Sequence, residues 1–244
     1  MKRSVISCTD ISDLTIRLAS DIAGSANRRI NESGVFSLVL SGGSTPRALY
    51  RVLAEPPFLD DIPWENIHIF WGDERCVPPD HRHSNYAMAF DAMLCRLPLP
   101  DDNIHRMRGE VDHEEAAREY ELDIREYFLD ELDMSDEIPS FDYILLGIGD
   151  DGHTASLFPG APSLDEKHRL VLPVDAPSYM PVTHRLTMAL PLICAAKHVS
   201  FMVSGEGKRD ILNAILHDAD ARDRYPAARV EAVEEVGWYT DIDM

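Results

Sequence analysis

The chain has 244 residues, 45 % of them hydrophobic and 27 % charged, which is the length and composition of one or two globular domains. These values exclude a disordered chain, a fibre and a small disulfide-built protein, and no apolar run is long enough for a transmembrane helix. The formal net charge of −20 argues against a nucleic acid or an anionic membrane as partner, so an anionic substrate would need the few cations to be gathered locally.

Short apolar runs alternate with helical segments along the chain. The predicted strands span 36–40, 67–71, 104–107, 141–147, 170–174, 185–189, 199–203 and 236–239. The predicted helices span 46–54, 85–96, 112–131, 190–196 and 206–217, with Pro46 opening the first and Ser84 capping the second. This alternation predicts an α/β fold: a mostly parallel, Rossmann-like open sheet with helices on both faces, in a single domain over residues 1–244. Because such sheets bind ligands at the carboxyl ends of their strands, the loops that follow strands are where chemistry is expected.

The first such loop, residues 41–46, reads S-G-G-S-T-P. Gly42 and Gly43 allow the backbone to approach a ligand closely. Ser44 and Thr45 add hydroxyl donors, and the helix that follows contributes the positive end of its dipole. These features are typical of an anion or phosphate cradle, although the spacing is neither that of a Walker A loop nor that of a dinucleotide fingerprint. Taken alone, the loop is explained as well by a tight turn from strand to helix.

The second loop, W-G-D-E-R-C-V-P-P at residues 71–79, puts acidic and basic side chains directly after a strand. Arg75 has the geometry to hold a phosphate with two hydrogen bonds, although an exposed salt bridge is the plainer interpretation of this loop alone. Downstream, Asp80, His81 and His83 are the residue types of a metal site. A solvated polar loop is the preferred interpretation, because no further ligands follow at a fixed spacing.

The third loop, G-I-G-D-D-G-H-T-A-S-L-F-P at residues 147–159, follows a buried strand and turns sharply at its glycines. His153 is thereby placed at the ligand edge of the sheet, with Asp151 two residues before it. A histidine held by a carboxylate is the usual form of a general base near neutral pH. This loop therefore predicts a catalytic base.

Two later cations also lie beside predicted strands. Arg185 begins the predicted strand 185–189, and Lys208 ends the segment S-G-E-G-K. Each alone is most simply a surface charge. In a chain with a net charge of −20, two cations at such positions indicate an anion site.

Five motifs together resemble those of the 6-phosphogluconolactonases: S-G-G-S-T-P, W-G-D-E-R with a downstream S-N-Y, the loop at 147–159, R-L-T-M-A-L-P and S-G-E-G-K. They follow one another in that family's order over about residues 10–240. The related glucosamine-6-phosphate deaminases share the first loop, an Asp at the place of Asp73 and the D-G-H turn. They have a proton-transferring glutamate where this chain has Phe158 and a tyrosine where it has Arg75, so both differences favour the lactonases.

The resemblance implies hydrolysis of 6-phospho-D-glucono-1,5-lactone to 6-phospho-D-gluconate, the second step of the oxidative pentose phosphate pathway. A lactone is an activated ester, so a base that deprotonates water and donors that stabilise the oxyanion suffice without a covalent intermediate. His153 is expected to be that base and Asp151 to orient or polarise it. Asp73 is expected to bind sugar hydroxyls or to fix Arg75.

The resemblance also implies the contacts of the phosphorylated substrate. The expected substrate- and phosphate-binding residues are Gly42, Gly43, Ser44, Thr45, Arg75, Arg185 and Lys208. The sequence does not divide the roles among the three cations. No metal and no cofactor are implied, and the only expected partner is the sugar-phosphate lactone, with no nucleic acid and no membrane.

Two other functions remain as alternatives. A deaminase-like isomerase of amino-sugar phosphates is disfavoured by Phe158, and a non-catalytic sugar-phosphate sensor is disfavoured by the retained His153. Asp10 and Asp13 interrupt any signal-peptide core, and the widely spaced cysteines form no CxxC pair, so reduced thiols in a cytoplasmic protein are expected. A monomer or a weak dimer is expected.

Overall fold

The computed structural model describes residues 2–130 and 138–243. Its strands are β1 (Lys2–Ser7), β2 (Phe36–Leu40), β3 (Ile67–Trp71), β4 (Asp73–Arg75), β5 (Tyr143–Gly147), β6 (Val171–Asp175), β7 (His184–Met188), β8 (His198–Val203) and β9 (Glu235–Thr240). Its α-helices are α1 (Ile11–Ser33), α2 (Ser44–Leu53), α3 (Phe58–Asp61), α4 (Asn85–Ala92), α5 (His113–Asp130), α6 (Leu190–Cys194), α7 (Arg209–His217), α8 (Ala221–Arg224) and α9 (Pro226–Arg229). A 6-stranded parallel sheet has the order β1-β9-β8-β5-β2-β3, and β4, β7 and β6 form a separate antiparallel sheet. The predicted α/β class with a mostly parallel sheet is confirmed.

The point where the strand order reverses lies between β2 and β5. The chain passes from β2 to its neighbour β3 and then crosses back to β5 on the other side of β2. The two strands are in register, with Leu38 opposite Tyr143 and Val39 opposite Ile144. The loops that leave β2 and β5 therefore diverge from adjacent points, which is the crevice where open α/β sheets bind ligands.

Helices cover both faces of the parallel sheet. Successive residues of β2 enter two different apolar clusters: Leu38 and Leu40 belong to one and Val39 to the other. The first cluster contains side chains of α1, α2 and α4, and the second contains side chains of α5, α6 and α7. Because both faces are buried, the central strands are mostly apolar, with single polar residues such as Ser37 and Ser200, and their sequences do not alternate between apolar and polar residues.

The predicted strand at 104–107 is wrong. Only Ile104 pairs with the edge strand β3, as an isolated bridge to Ile69, and the N–H of His105 donates to the carbonyl of Ile69 at 2.9 Å. The chain then turns away toward Gly109, where an added Cβ would lie 2.5 Å from the carbonyl oxygen of Arg75. Because Gly109 packs against the backbone of Arg75, the chain leaves the edge of the parallel sheet after Ile104.

The bounds of the predicted helices differ from those observed: the helix predicted at 190–196 ends at Cys194, and the one predicted at 112–131 begins at His113. Along the chain, the first begins at Ser44, two residues before Pro46. The second is capped by Ser84 as predicted, but ends at Ala92, and a separate 3-10 turn follows at Leu94–Arg96. The last begins with a 3-10 turn at Glu206–Lys208 before α7. Of the predicted helix 112–131, residue 131 lies outside the described residues.

The elements that were not predicted are the strands β1 and β4 and the helices α1, α3, α8 and α9. Strand β1 lies at the sheet edge, and none of its residues is buried. Its sequence therefore has no apolar run that would indicate a strand. Helix α1 begins after Asp10, whose side chain accepts from the N–H of Asp13, and ends at Gly34 with φ of +86°. Strand β4 is only three residues long and is created by its pairing with β7. None of the described helices is long and apolar enough to cross a membrane.

A histidine pair joins β3 to the segment that follows Ile104: His68 is buried on β3, and His105 is half-buried in that segment. His68 Nδ1 is 3.1 Å from His105 Nε2, and His105 Nδ1 is 2.8 Å from Asp123 Oδ1. Burial, with the nearby charge of His105, lowers the pKa of His68 to about 4. The folded chain therefore keeps His68 neutral at pH values where an unfolded chain protonates it.

We expect the free energy of unfolding to fall by about 1–3 kcal/mol as the pH drops from about 6.5 to about 4, because only the unfolded chain takes up the His68 proton in this window. The substitution His68→Gln should remove this part of the pH dependence. Exposed His217 on α7 supplies the control variant His217→Gln, which should keep it. Urea unfolding at pH 7 and at pH 4.5 measures the free energy of unfolding at each pH. An equal loss of this free energy between the two pH values in wild type and in His68→Gln would contradict the prediction.

Candidate active site

Two adjoining cavities lie at the carboxyl edge of the parallel sheet. The first, which we name the histidine cavity, has a volume of about 110 Å³ and is lined by Ser41, Gly42, Asp73, Arg75, Gly147, Ile148, Gly149, His153, Ala155 and Arg185. The second, which we name the loop cavity, has a volume of about 200 Å³ and is lined by Gly42, Gly43, Ser44, Thr45, Pro46, Gly147, Ile148, Met202, Val203, Ser204 and Lys208. All the predicted site residues line one of the two cavities except Asp151, which lies behind His153.

His153 is held by the carboxylate of Asp151. His153 Nδ1 lies 2.5 Å from Asp151 Oδ1, and the backbone N–H of His153 donates to the same oxygen at 3.1 Å. An ionised carboxylate only accepts, so Nδ1 carries the proton and Nε2 keeps its lone pair. Since the ring lines the histidine cavity, Nε2 is the nitrogen available as a base to a molecule bound there.

The turn that carries this pair depends on two glycines. An added Cβ on Gly149 would lie 2.0 Å from His153 Nδ1, and one on Gly152 would lie 2.5 Å from the ring of Tyr225. Gly152 also has φ of +80°, a conformation that side chains other than glycine rarely adopt. The loop therefore brings its backbone against the His153 ring in a way that only glycine permits.

Phe158 packs on the other side of the histidine. The two ring centroids are 4.9 Å apart, at an interplanar angle of 48°, and Phe158 is buried. A phenyl ring at this position fixes the imidazole by contact and transfers no proton. The carboxylate that contacts the ring is therefore that of Asp151.

The loop after β2 presents unpaired backbone donors to the loop cavity. Tyr50, fully buried on α2, accepts from the N–H of Ser41 at 2.9 Å and donates to its carbonyl at 2.7 Å, which fixes the start of the loop. The N–H groups of Gly43, Ser44 and Thr45 have no acceptor within the described residues. Together with the positive end of α2, these amides form a site for an anion.

Lys208 brings a cation to the same cavity. Its Nζ donates to the carbonyl of Ile148 at 3.0 Å and pairs with the carboxylate of Asp150. The hydrogen bond to Lys208 lowers the pKa of Asp150. Because Asp150 is almost fully exposed, solvent screening leaves this pair weak, and an anion in the loop cavity can share the ammonium group.

Arg75 and Arg185 are paired on the neighbouring antiparallel strands β4 and β7, and both line the histidine cavity. Arg75 Nη1 donates to the carbonyl of His83 at 2.8 Å, and Arg185 Nε donates to that of Val182 at 3.0 Å. Arg75 Nε is buried and has no hydrogen-bond partner within the described residues. Burial, with the positive charge of Arg75, lowers the pKa of Arg185. Two adjacent guanidinium groups without a carboxylate ion pair among the described residues form a binding place for negative charge.

Asp73 is buried between three elements. Its Oδ2 accepts from Ser156 Oγ at 2.7 Å, and its Oδ1 and carbonyl accept from Asn85 Nδ2 at 3.3 and 2.8 Å. Sequence reasoning named Asp73 but missed the role of Ser156 and Asn85 in holding it. The sequence connects the S-N-Y segment to the site only through the family resemblance, and no sequence spacing reveals a contact between residues 73 and 156.

Glu74, also missed as part of the site, fixes the loop between β4 and α4. Its buried carboxylate accepts from the backbone N–H groups of Arg75, Asn85 and Tyr86 and from the hydroxyl of Ser84, at 2.7–2.9 Å. Burial raises the pKa of this carboxyl. Glu74 thereby fixes the positions of Arg75 and Asn85 without facing the cavity itself.

Gly42 and Asn85 are in direct contact, and we expect their substitutions to be coupled. An added Cβ on Gly42 would lie 2.0 Å from Asn85 Oδ1, so Gly42→Ala should lower the free energy of unfolding by about 1–3 kcal/mol. In an Asn85→Ala background, Gly42→Ala should lower the free energy of unfolding by less than it does in wild type, with a difference of at least about 0.5 kcal/mol. The control is Gly24→Ala on α1, where an added Cβ meets nothing within 4 Å. Urea unfolding of the four proteins of the cycle tests this, and strictly additive effects would contradict it.

The residues considered for a metal lie away from both cavities. His81 Nδ1 accepts from the N–H of His83 at 3.2 Å, and the two rings are 5.4 Å apart. Over residues 2–130 and 138–243, no three His, Cys, Asp or Glu side chains are grouped to hold a metal ion.

Known proteins resemble the chain over nearly its full length. The family described as "Glucosamine-6-phosphate isomerases/6-phosphogluconolactonase" matches residues 9–238. A Synechocystis protein named 6-phosphogluconolactonase is 41 % identical over 215 residues, which are 88 % of this chain and 85 % of that protein.

Solved structures share the fold. The crystal structure of 6-phosphogluconolactonase from Thermotoga maritima is 30 % identical, with a TM-score of 0.82 over 98 % of this chain and 99 % of that chain. A monomeric glucosamine-6-phosphate deaminase is 22 % identical, with a TM-score of 0.75 over 96 % of each chain. At that identity the second likeness concerns the fold alone, which both activities share.

Proposed function

The chain belongs to the family of glucosamine-6-phosphate isomerases and 6-phosphogluconolactonases, and we propose that it hydrolyses 6-phospho-D-glucono-1,5-lactone to 6-phospho-D-gluconate by general-base activation of water. It is an enzyme of the 6-phosphogluconolactonase type, as its relatives at up to 41 % identity indicate. We further propose that residues 1–244 act as a single domain, because both apolar clusters share the strands of one sheet.

The observation that carries the proposal is the position of the His153–Asp151 pair. Its ring lines a cavity that also contains two arginines without an ion pair among the described residues, and this cavity opens into a second one lined by unpaired amides. A phosphorylated lactone has a phosphate at one end and an electrophilic carbonyl at the other. The two adjoining cavities match that separation of groups.

We place the phosphate in the loop cavity, on the amides of Gly43, Ser44 and Thr45 and beside Lys208. Over residues 2–130 and 138–243, the three amides have no acceptor, and Lys208 has only a solvent-exposed carboxylate and one carbonyl. The lactone carbonyl then lies in the histidine cavity. There Arg75 is positioned to meet the negative charge that develops on the carbonyl oxygen.

In this arrangement His153 Nε2 takes a proton from water as the water oxygen attacks C1. The C1 carbonyl becomes a tetrahedral oxyanion, which the guanidinium groups of Arg75 and Arg185 stabilise. Collapse re-forms the carbonyl and breaks the bond between C1 and the ring oxygen. The proton held on Nε2 passes to that oxygen, so His153 returns to its neutral form and one water has been added. Asp151 keeps the imidazole in the required tautomer and stabilises the transient imidazolium.

Asp73 is assigned to the sugar hydroxyls. Its two carboxylate oxygens are already oriented by Ser156 and Asn85, so it accepts hydrogen bonds in a fixed direction. Because it is shielded from solvent and lines the histidine cavity, it orients the sugar ring against His153. We infer a cytoplasmic enzyme, since all four cysteines are free thiols.

A deaminase activity receives no support from the cavity. The glutamate that serves ring opening in the resembling deaminases is replaced here by Phe158, whose ring packs on His153. The decisive experiment follows hydrolysis of freshly generated 6-phosphogluconolactone, coupled to 6-phosphogluconate dehydrogenase, after subtraction of the spontaneous rate. An enzyme-dependent rate supports the proposal. A rate equal to background, or release of ammonia from glucosamine 6-phosphate, would refute it.

Lys208→Ala is expected to raise KM by about 10–100-fold and to change kcat by less than about threefold. A phosphate distant from the reacting carbon is bound equally in the ground state and in the transition state, and a charge-assisted contact is worth about 1.5–3 kcal/mol. Lys167→Ala, which removes an exposed lysine outside both cavities, is the control. A fall in kcat with KM unchanged would move Lys208 to the reacting end of the substrate.

A further inference from the structure

A third cavity lies between α2 and α4, on the outer side of the loop that joins β4 to α4. We name it the arginine pocket. It has a volume of about 300 Å³, and its charged lining comes from Arg47 and Arg51 of α2, from Asp80, His81 and Arg82 of the loop, and from Asp91 of α4. It shares no lining residue with the histidine cavity or the loop cavity. It is therefore a separate feature of the surface.

The arginine side chains of this pocket differ from most lysine and arginine side chains of the chain in their lack of a partner within the described residues. Nearly every lysine and arginine side chain has an ion pair or a hydrogen bond. Within the described residues, the side chains without either are Arg47, Arg51, Arg82, Arg118 and Lys167. The first three line one pocket, in a chain whose net charge is −20 and where carboxylates are abundant.

This arrangement costs free energy while the pocket is empty. Arg47 and Arg51 are four residues apart on α2, so their charges lie on the same face and repel. Arg82 adds a third positive charge from the facing loop. The two carboxylates of the lining, Asp80 and Asp91, form no ion pair with them among the described residues. An anion held between the three guanidinium groups would relieve the repulsion.

We propose that the arginine pocket binds a small phosphorylated molecule, at a site distinct from the catalytic one. Planar guanidinium groups bind phosphate oxygens through paired hydrogen bonds, and a phosphate offers more acceptors and more charge than a carboxylate. The remaining lining is largely apolar, from Ala87, Met88 and Ala92 of α4, and gives a carbon skeleton a surface to pack on. The ligand class is therefore a phosphate ester or a diphosphate.

The pocket is connected to the catalytic site through one short loop. Arg82 is followed by His83, whose carbonyl accepts from Arg75 Nη1, and the N–H of Ser84 donates to the carbonyl of His81 at 2.8 Å. A ligand bound to Arg82 is thus one residue away from the backbone group that holds a catalytic arginine.

Calorimetric titration with inorganic pyrophosphate, at constant ionic strength set with sodium chloride, tests the proposal. We expect wild type to bind pyrophosphate at two sites, in the loop cavity and in the arginine pocket. The double variant Arg51→Ala/Arg82→Ala should lose one of them or weaken it at least tenfold. The matched control is Arg118→Ala/Lys167→Ala, which removes the same charge from exposed positions outside the pocket and should titrate like wild type.

Three outcomes would overturn the proposal. The first is a single site in wild type that Lys208→Ala abolishes, and the second is an equal loss of affinity in both double variants, which would reflect net charge alone. The third is titration of Arg51→Ala/Arg82→Ala like wild type. Both arginines are exposed, so the variant is expected to fold, and Arg82→Ala alone provides a milder variant with an intermediate loss. Because binding is measured without turnover, the result is independent of the reaction proposed above.

Discussion

Replacing His153 by alanine is expected to lower kcat for lactone hydrolysis by about 10²- to 10⁴-fold, the range of general-base catalysis. The His153 imidazole lines the histidine cavity, and its Nδ1 lies 2.5 Å from Asp151 Oδ1. This contact leaves Nε2 as the nitrogen that can accept a proton. Without it, attacking water has no positioned proton acceptor. KM should change little, because the phosphate site that we propose is the loop cavity, which His153 does not line. The coupled dehydrogenase assay measures both constants.

Two further variants sharpen this test. Asp151→Asn should also lower kcat, because the amide no longer holds the neutral tautomer in which Nε2 is free. His184 and Asp175 form a similar pair, with Nδ1 and Oδ1 2.8 Å apart, exposed and outside both cavities. His184→Ala should therefore leave kcat within about twofold of wild type. A near-wild-type rate for His153→Ala would remove His153 from the role of base.

Arg75→Ala is expected to lower kcat by about 10²- to 10³-fold, which is the usual cost of removing a donor that stabilises an oxyanion. Arg75 Nε is buried without a partner, and the guanidinium faces the same cavity as His153. Its contribution is therefore largest when negative charge develops on the carbonyl oxygen. This result separates Arg75 from Lys208, whose loss should appear in KM.

The lysine variant and a remote arginine provide the controls. Arg75→Lys should recover little of the rate, because an ammonium group lacks the planar fork and does not reach the position of Nη1, which donates to His83. Arg118→Ala removes an exposed arginine outside both cavities and should have no effect. An Arg75→Ala variant with a raised KM and an unchanged kcat would assign Arg75 to the phosphate instead.

The elements that followed from sequence are those whose signal is local. The strands β2 and β3 were predicted with their observed bounds, because each is a short, mostly apolar run that is buried on both faces. Strand β1 was not predicted because it has no apolar run. It forms at the sheet edge by pairing with β9, where Lys2 lies opposite Glu235, 233 positions away in the sequence. The segment 104–107 had the residue types of a strand, but only Ile104 forms a bridge to a neighbouring strand.

The same distinction applies to the site. His153 and Asp151 are two residues apart, so their pairing was readable from a single Gly-rich turn. Asp73 and Ser156 are 83 positions apart, and their hydrogen bond exists only because β4 and the loop after β5 converge. The contact of Asn85 with Gly42, which explains why that position has no side chain, is likewise a product of the fold.

By itself, the sequence determined the alternation of strands and helices, the loops at which ligands are expected, and the His–Asp pair, since each depends on residues close together along the chain. Only the tertiary structure decided the rest. It put Arg75 opposite Arg185, separated both from Lys208, and buried Asp73 between Asn85 and Ser156. The physical reason is that strand order and register set these distances, and both arise from packing energies summed over the whole sheet rather than from any one segment.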